Sequence, residues 1–211
     1  MHTQDTQIAK SLLEIGAVKL NVNNPFVWVS GIKSPIYCDN RIINSKVDVR
    51  TSVITAFCDL IKKEYLDKID IIAAVATGGI PYGILIADKL GLPFIYVREE
   101  RKQHGLMKSI EGDFKDGDRI LLIEDHISTG KSSLKAITTL REENLNLVAL
   151  LSIMTYGFKK AEDSFKTENV QYQSLCNLDS IIEVALLDSK ISPDDADTIL
   201  KFRETPEKWN Q

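Results

Sequence analysis

Continuous runs of apolar residues alternate with stretches of helical spacing through the middle of the chain. Runs that are apolar on both faces are typical of parallel strands buried between helices. The stretches 80–90 and 131–144 have the apolar spacing of helices. This alternation predicts an α/β protein with a central, mostly parallel sheet flanked by helices. The predicted strands are residues 69–76, 93–98, 119–124 and 147–154, with 170–175 as a fifth candidate.

The two ends of the chain differ from its middle. Residues 6–18 and 47–63 show helical spacing, whereas 21–40 are rich in Pro, Asn, Ser and Gly and predict short strands and turns. Ser192-Pro193, followed by acids, predicts a helix start. In doubly wound sheets, ligands bind at the carboxyl ends of the strands. The loops expected to carry function are therefore 77–79, 98–112, 124–131 and 155–158.

The composition narrows the class of protein. A chain of 211 residues with 44% hydrophobic and 27% charged residues suits one domain spanning 1–211. A net charge of −4 gives no indication of a nucleic acid partner. The three cysteines are far apart and predict reduced thiols. The polar N-terminus and the absence of an apolar run near ~20 residues predict a cytoplasmic protein without a membrane span.

The stretch 120–133, ILLIEDHISTGKSS, is the most informative part of the sequence. An apolar strand ends in the carboxylates Glu124 and Asp125. A loop with hydroxyls and Gly130 follows, and then Lys131 opens a helix. Backbone N–H groups at such a helix start can bind a phosphate, and Gly130 allows close approach. Because the two carboxylates would repel a phosphate, they suit the hydroxyls of a nearby sugar.

Two other interpretations compete for this stretch. Gly130-Lys131-Ser132 contains the GK[ST] ending of a P-loop, but that motif needs a glycine where this chain has Asp125. An ordinary strand–loop–helix joint would explain the hydroxyl-rich loop alone. It does not explain the acid pair that precedes the loop. A sugar-phosphate site is therefore the favoured interpretation.

The same stretch resembles the signature of the type I phosphoribosyltransferases, which bind phosphoribosyl pyrophosphate (PRPP). The resemblance implies that the two acids hold the ribose hydroxyls and the loop holds the 5′-phosphate. It also implies the type I fold, with a small N-terminal hood over about 1–45, a mobile loop over about 98–112 and a C-terminal helical extension over about 177–211. The positions implied for PRPP in this stretch are Glu124, Asp125, His126, Ile127, Ser128, Thr129, Gly130, Lys131 and Ser132.

Two further segments are similar to orotate phosphoribosyltransferases within that family. Residues 26–41, FVWVSGIKSPIYCDNR, resemble their N-terminal signature, which implies that Lys33, Tyr37 and Ser128 bind orotate. Residues 98–105, REERKQHG, resemble their mobile loop. A solvated charged loop is the ordinary interpretation of such a run taken alone.

The resemblance implies a reaction as well as a fold. Arg98, Lys102 and His104 would reach the pyrophosphate in the partner subunit's site, so a homodimer with shared active sites is expected. Lys102, His104 and Asp125 are the residues expected to be catalytic. Mg²⁺ would be bound through PRPP rather than by the protein. The substrates would be PRPP and orotate, and the product orotidine 5′-phosphate for UMP synthesis.

The sequence departs from the family pattern at three positions. Val29, Gly78 and Glu99 stand where many or some members carry a cation. These losses keep open a PRPP-sensing regulator without chemistry, although the chain has no basic recognition helix. A phosphoribosyltransferase for another base is the other alternative, disfavoured by segment 26–41. His126 has no evident partner in the sequence and is expected to be structural.

Overall fold

One helix and two small antiparallel strand pairs form the N-terminal part of the protein. The computed structural model describes residues 4–28, 31–99 and 109–209. The short strands and turns expected over 21–40 are present, because the segment's Pro, Asn and Gly residues permit turns but no long strand. The elements are α1 Gln4–Glu14, β1 Val18–Leu20, β2 Phe26–Val27, β3 Lys33–Ser34 and β4 Ile36–Cys38, with β1 pairing β4 and β2 pairing β3.

A six-stranded sheet forms the centre of the fold. Its strand order is β10-β9-β8-β5-β6-β7, parallel except for the edge strand β7, which runs antiparallel to β6. The order and direction confirm the predicted α/β fold with a mostly parallel sheet. The strands are β5 Ile71–Val75, β6 Phe94–Val97, β7 Ile110–Glu111, β8 Arg119–Ile127, β9 Asn146–Thr155 and β10 Tyr172–Asn177.

Helices cover both faces of this sheet. Successive strand residues face opposite sides, so Leu121 and Ile123 belong to one buried cluster while Ile120 and Leu122 belong to the other. The first cluster includes residues of α1, α2, α3, α6 and α7, and the second those of α4 and α5. These helices are α2 Val47–Glu64, α3 Ile80–Leu90, α4 Lys131–Glu142, α5 Lys159–Thr167, α6 Leu178–Leu187 and α7 Pro193–Glu204.

Strand β8 is longer than the sequence predicts. The apolar run suggested that the strand ends at Glu124, but β8 continues to Ile127 because β9 pairs with it over the same length. Glu124 lies opposite Ser152, and Ile127 lies opposite Thr155. Since neighbouring strand residues point to opposite faces, the two acids are directed to different sides of the sheet. The prediction that both acids lie at the strand's end is therefore wrong.

No helix among the described residues is both long enough and apolar enough to cross a membrane.

Candidate active site

A cleft of about 550 Å³ lies at the carboxyl end of the central strands. Two of the loops expected to carry function, 98–112 and 124–131, contribute to it, and the end of β5 adds Val75 and Ala76, because parallel strands bring these segments to one edge of the sheet. The cleft is therefore where the sequence places a phosphate and sugar site. Residues that line it include Ala76, Arg98, Ser128, Thr129, Lys131 and Ser132.

The Glu124 carboxylate is buried on the side of the sheet covered by α4. Its Oε2 accepts hydrogen bonds from the hydroxyls of Ser132 and Ser133, each at 3.2 Å. Its Oε1 accepts a bond from the backbone N–H of Asp125 at 3.1 Å. Burial raises the pKa of Glu124 well above its ordinary range, and the charge of Asp125 adds to the rise. Glu124 is therefore the member of the acid pair that takes up a proton more readily.

The Asp125 carboxylate faces the other side of the sheet, against the turn that follows β5. A Cβ added at Gly78 would lie 2.6 Å from Asp125 Cγ, so only glycine allows this turn to lie so close. Asn40 Nδ2 donates to the backbone carbonyl of Asp125 at 2.8 Å, and the Tyr82 hydroxyl donates to the Asn40 carbonyl at 2.5 Å. These bonds join the N-terminal segment to the strand that carries the acids.

The structure supplies a partner for His126. Its Nδ1 lies 3.2 Å from Asp125 Oδ1, and the same oxygen accepts the backbone N–H of His126 at 2.8 Å. Burial pushes the pKa of Asp125 upward, but His126 outweighs burial and leaves this pKa below its ordinary value. Burial likewise pushes the pKa of His126 downward, and Asp125 outweighs it, so this pKa lies above its ordinary value. The two side chains therefore stabilise each other's charged forms.

The phosphate loop ends at Gly130, which opens α4. Gly130 has a φ of 75°, and a Cβ there would lie 2.9 Å from Phe165 Cζ. No side chain caps the first turn of α4 at Gly130, which leaves the backbone N–H groups of this turn free to bind a ligand. The turn lies at the cleft, since Lys131 and Ser132 line it. The Ser132 hydroxyl already donates to Glu124. The backbone N–H groups, rather than that hydroxyl, are the donors best placed for an anion.

A second pocket of about 270 Å³ lies between the N-terminal segment and the ends of β8 and β9. Ser128 lines both this pocket and the cleft, so the two cavities share a wall. The Trp28 ring packs edge-on against the Tyr156 ring at 5.3 Å. The other lining residues are Val27, Tyr37, Cys38 and His126.

Some of these pocket residues were predicted from the sequence as site residues and others were not. Of the three residues expected to bind orotate, Tyr37 and Ser128 line the second pocket, whereas Lys33 is exposed on β3 and is not among the described residues lining either cavity. Trp28 and Tyr156 were not predicted as site residues. Tyr156 follows β9 within 155–158, one of the loops expected to carry function. This position is the one feature of the sequence that indicates a role for Tyr156.

The basic loop is described only in part. Arg98 lines the cleft, and its Nη1 forms an ion pair with Glu111 Oε1 at 3.2 Å. Lys102 and His104 lie outside the described residues, as do Val29 and Arg101. Among residues 4–28, 31–99 and 109–209, no group of three or more His, Cys, Asp or Glu side chains could hold a metal ion.

The comparisons with known proteins agree with this geometry. The family model for the phosphoribosyl transferase domain matches residues 50–188. The chain is 41% identical to the orotate phosphoribosyltransferase of Listeria monocytogenes over 98% of its own length and 99% of the relative's. It is 43% identical to the orotate phosphoribosyltransferase of Staphylococcus saprophyticus, over 93% of its own length and 97% of the relative's.

A solved structure supports the same assignment. The orotate phosphoribosyltransferase of Aeropyrum pernix superposes with a TM-score of 0.72 at 30% identity, covering 83% of this chain and 96% of that one. The fold, the sheet-edge cleft and the near full-length similarity point to one family. The chain belongs to the orotate phosphoribosyltransferase family, with the type I phosphoribosyltransferase fold.

Proposed function

We propose that this protein transfers the phosphoribosyl group of PRPP to orotate, giving orotidine 5′-phosphate and pyrophosphate. The observation that carries the proposal is the shared wall at Ser128. A polar cleft with a helix start suits a sugar phosphate, and an aromatic pocket beside it suits a planar base. A sugar phosphate bound in the cleft and a base bound in the pocket would meet at Ser128. Transfer of the phosphoribosyl group to the base requires such contact.

Different residues of the site bind different parts of the PRPP molecule. The backbone N–H groups of the loop 128–132 hold the 5′-phosphate at the positive end of α4. Asp125, whose pKa is lowered, is the acid that the resemblance assigns to the ribose hydroxyls; it is not among the described residues that line the cleft, so the ribose would have to reach past the cleft wall at Ser128. Glu124 orients the start of α4 by accepting hydrogen bonds from Ser132 and Ser133.

The transfer exchanges one bond at C1 of the ribose for another. The N1–C1 bond forms as the C1–O bond to the diphosphate breaks; the diphosphate leaves with the electron pair, and the N1 proton passes to the departing diphosphate. The transition state has oxocarbenium character, so positioning and stabilisation of the leaving group supply the catalysis. PRPP enters as its Mg²⁺ complex, in which the metal neutralises the diphosphate.

The loop that begins at Arg98 completes the site in this proposal. Arg98, Lys102 and His104 act on the leaving diphosphate, and the loop serves the site of a second subunit in a cytoplasmic homodimer. What supports this part is the similarity of segment 98–105 to the family's loop.

The test is the loss of orotate absorbance when purified protein is mixed with orotate, PRPP and Mg²⁺. A decrease that EDTA abolishes is expected. Asp125→Asn should lower kcat/KM for PRPP about 10- to 100-fold, since it removes a charged acceptor. Asp70→Asn is the matched control, because Asp70 pairs with Arg119 at the opposite end of the sheet.

Absence of turnover in the wild-type protein, with PRPP still bound in calorimetry, would contradict the proposal. Turnover with uracil or a purine but not with orotate would contradict the choice of base.

A further inference from the structure

His126 is the one described residue of the second pocket whose side chain can carry a positive charge. The other residues that line the pocket are apolar, aromatic, hydroxyl- or thiol-bearing. Burial raises the pKa of Cys38 and of Tyr156, so both stay neutral near pH 7. An anionic ligand in this pocket would therefore find its charge partner at position 126.

The surroundings of His126 favour its charged form. Nδ1 is buried and lies 3.2 Å from Asp125 Oδ1, an ion-pair distance without hydrogen-bond geometry, while the side chain as a whole is 31% exposed. Its exposed part is consequently away from Nδ1. Asp39 adds a second favourable charge, and Arg41 opposes it. Arg41 is itself bound by Asp39 through Nε and Nη2 at 2.6 and 3.0 Å, which reduces its effect at the ring.

We propose that the His126 imidazolium recognises the carboxylate of the base and so selects orotate over uncarboxylated pyrimidines. This inference rests on the proposed function. Asp125 holds the Nδ1 side of the ring, and Nε2–H donates a charge-assisted hydrogen bond to the carboxylate. Asp125 thereby has two proposed roles, because it is the proposed acceptor for the ribose hydroxyls and it also keeps the base-binding cation charged.

A neutral ring at this position would lose the selectivity. A hydrogen bond to a charged group contributes about 10- to 100-fold in affinity. Uracil has no carboxylate, so it gains nothing from the imidazolium. As pH rises through the pKa of His126, which lies above the ordinary 6.5, the imidazolium is lost and orotate binding weakens.

The experiment compares wild-type enzyme with His126→Gln and His126→Leu between pH 5.5 and 9, at saturating PRPP and Mg²⁺. The KM for orotate in the wild type should rise with pH, whereas both variants should show a flat, high KM. At pH 6 the variants should exceed wild type about 10- to 100-fold, and at pH 9 the Gln variant and wild type should converge. The inhibition constant for uracil should change less than about threefold.

The outcomes separate this inference from the proposed function. A wild type without orotate turnover refutes the proposed function. A wild type that turns over orotate, with a KM that His126→Gln does not change at any pH, refutes only the role of His126. If His126→Gln weakens the binding of orotate and of uracil equally, the ring only shapes the pocket and the proposed charge recognition is refuted. A larger rise in KM for Lys33→Ala than for His126→Gln would assign the cation to Lys33 and overturn the inference.

Folding is checked separately. Circular dichroism and the thermal midpoint are measured for each variant at pH 6 and 9. If His126→Leu unfolds, His126→Gln carries the test, since it keeps a polar side chain that can donate without charge.

Discussion

The carboxylate of Asp125 lies against the α-carbon of Gly78, and a Cβ at position 78 would come within 2.6 Å of Asp125 Cγ. The turn after β5 therefore fixes where the Asp125 carboxylate can lie. A lysine at this position would not fit beside this placement of Asp125. The missing cation at position 78 is thus linked to the position of the acid.

Gly78→Ala should raise the KM for PRPP about tenfold or more, because the added methyl group must displace the Asp125 carboxylate. Steady-state kinetics with PRPP as the varied substrate measure the effect. Gly83→Ala is the matched control. Its Cβ would meet the Phe94 ring at 2.7 Å inside the core, away from the cleft, so it should alter the thermal midpoint and leave this KM unchanged. Equal effects of the two variants on KM would refute the link between Gly78 and Asp125.

Gly130→Ala should weaken PRPP binding and also destabilise the fold. The position has a φ of 75°, which costs an alanine about 1–2 kcal/mol, and its Cβ would meet Phe165. Calorimetry with PRPP and urea unfolding measure the two effects. Gly91→Ala has a similar φ of 67° with nothing within 4 Å, so it tests the backbone strain alone. PRPP binding that survives in Gly130→Ala would exclude close approach of the phosphate there.

Glu124→Gln should stabilise the protein at neutral pH. The pKa of Glu124 is raised in the folded state, so wild-type stability is fully present below the ordinary value of 4.5 and is lost as pH rises through the folded pKa. The neutral amide does not incur this loss. The thermal midpoint of the variant should exceed that of wild type by a few degrees at pH 8, about 2–4 °C per kcal/mol, with the difference shrinking toward pH 4.5. A difference that grows toward acid pH would contradict the raised pKa of Glu124.

Asn40→Ala should lower the free energy of unfolding by about 1–3 kcal/mol, because it leaves the buried carbonyl of Asp125 without its donor. Urea denaturation measures the change. Asn44→Ala is a suitable comparison, since Asn44 Oδ1 is buried without a hydrogen-bond partner among the described residues. Its removal should cost clearly less. Similar losses for both variants would mean that the Asn40 bond to Asp125 adds little.

Much of the fold follows from the sequence. Residues 69–76 were predicted as a strand, and β5 lies within these limits. Residues 80–90 were predicted as a helix, and α3 has the same limits. Local physics decides such elements: apolar residues on both strand faces need cover from helices, and Gly91 ends α3 in the left-handed conformation. The loop hydroxyls before Lys131 likewise stand out because their chemistry is local to one strand–helix joint.

The candidate site depended on contacts that no local pattern shows. Asp125 and Gly78 are 47 positions apart, and Asn40 and Asp125 are 85 apart. The length of β8 was underestimated for the same reason, because pairing with β9, rather than the apolar pattern, carries the strand past Glu124.

The sequence by itself determined the class of fold, the phosphate loop and the resemblance to a family, since these depend on residue types at fixed spacing. Only the tertiary structure decided that Glu124 and Asp125 face opposite sides, that the pKa of Glu124 is raised and that of Asp125 lowered, and that His126 lies in the second pocket beside Asp125. The physical reason is that protonation depends on burial and on neighbouring charges, and both are set by strands and turns distant in the chain.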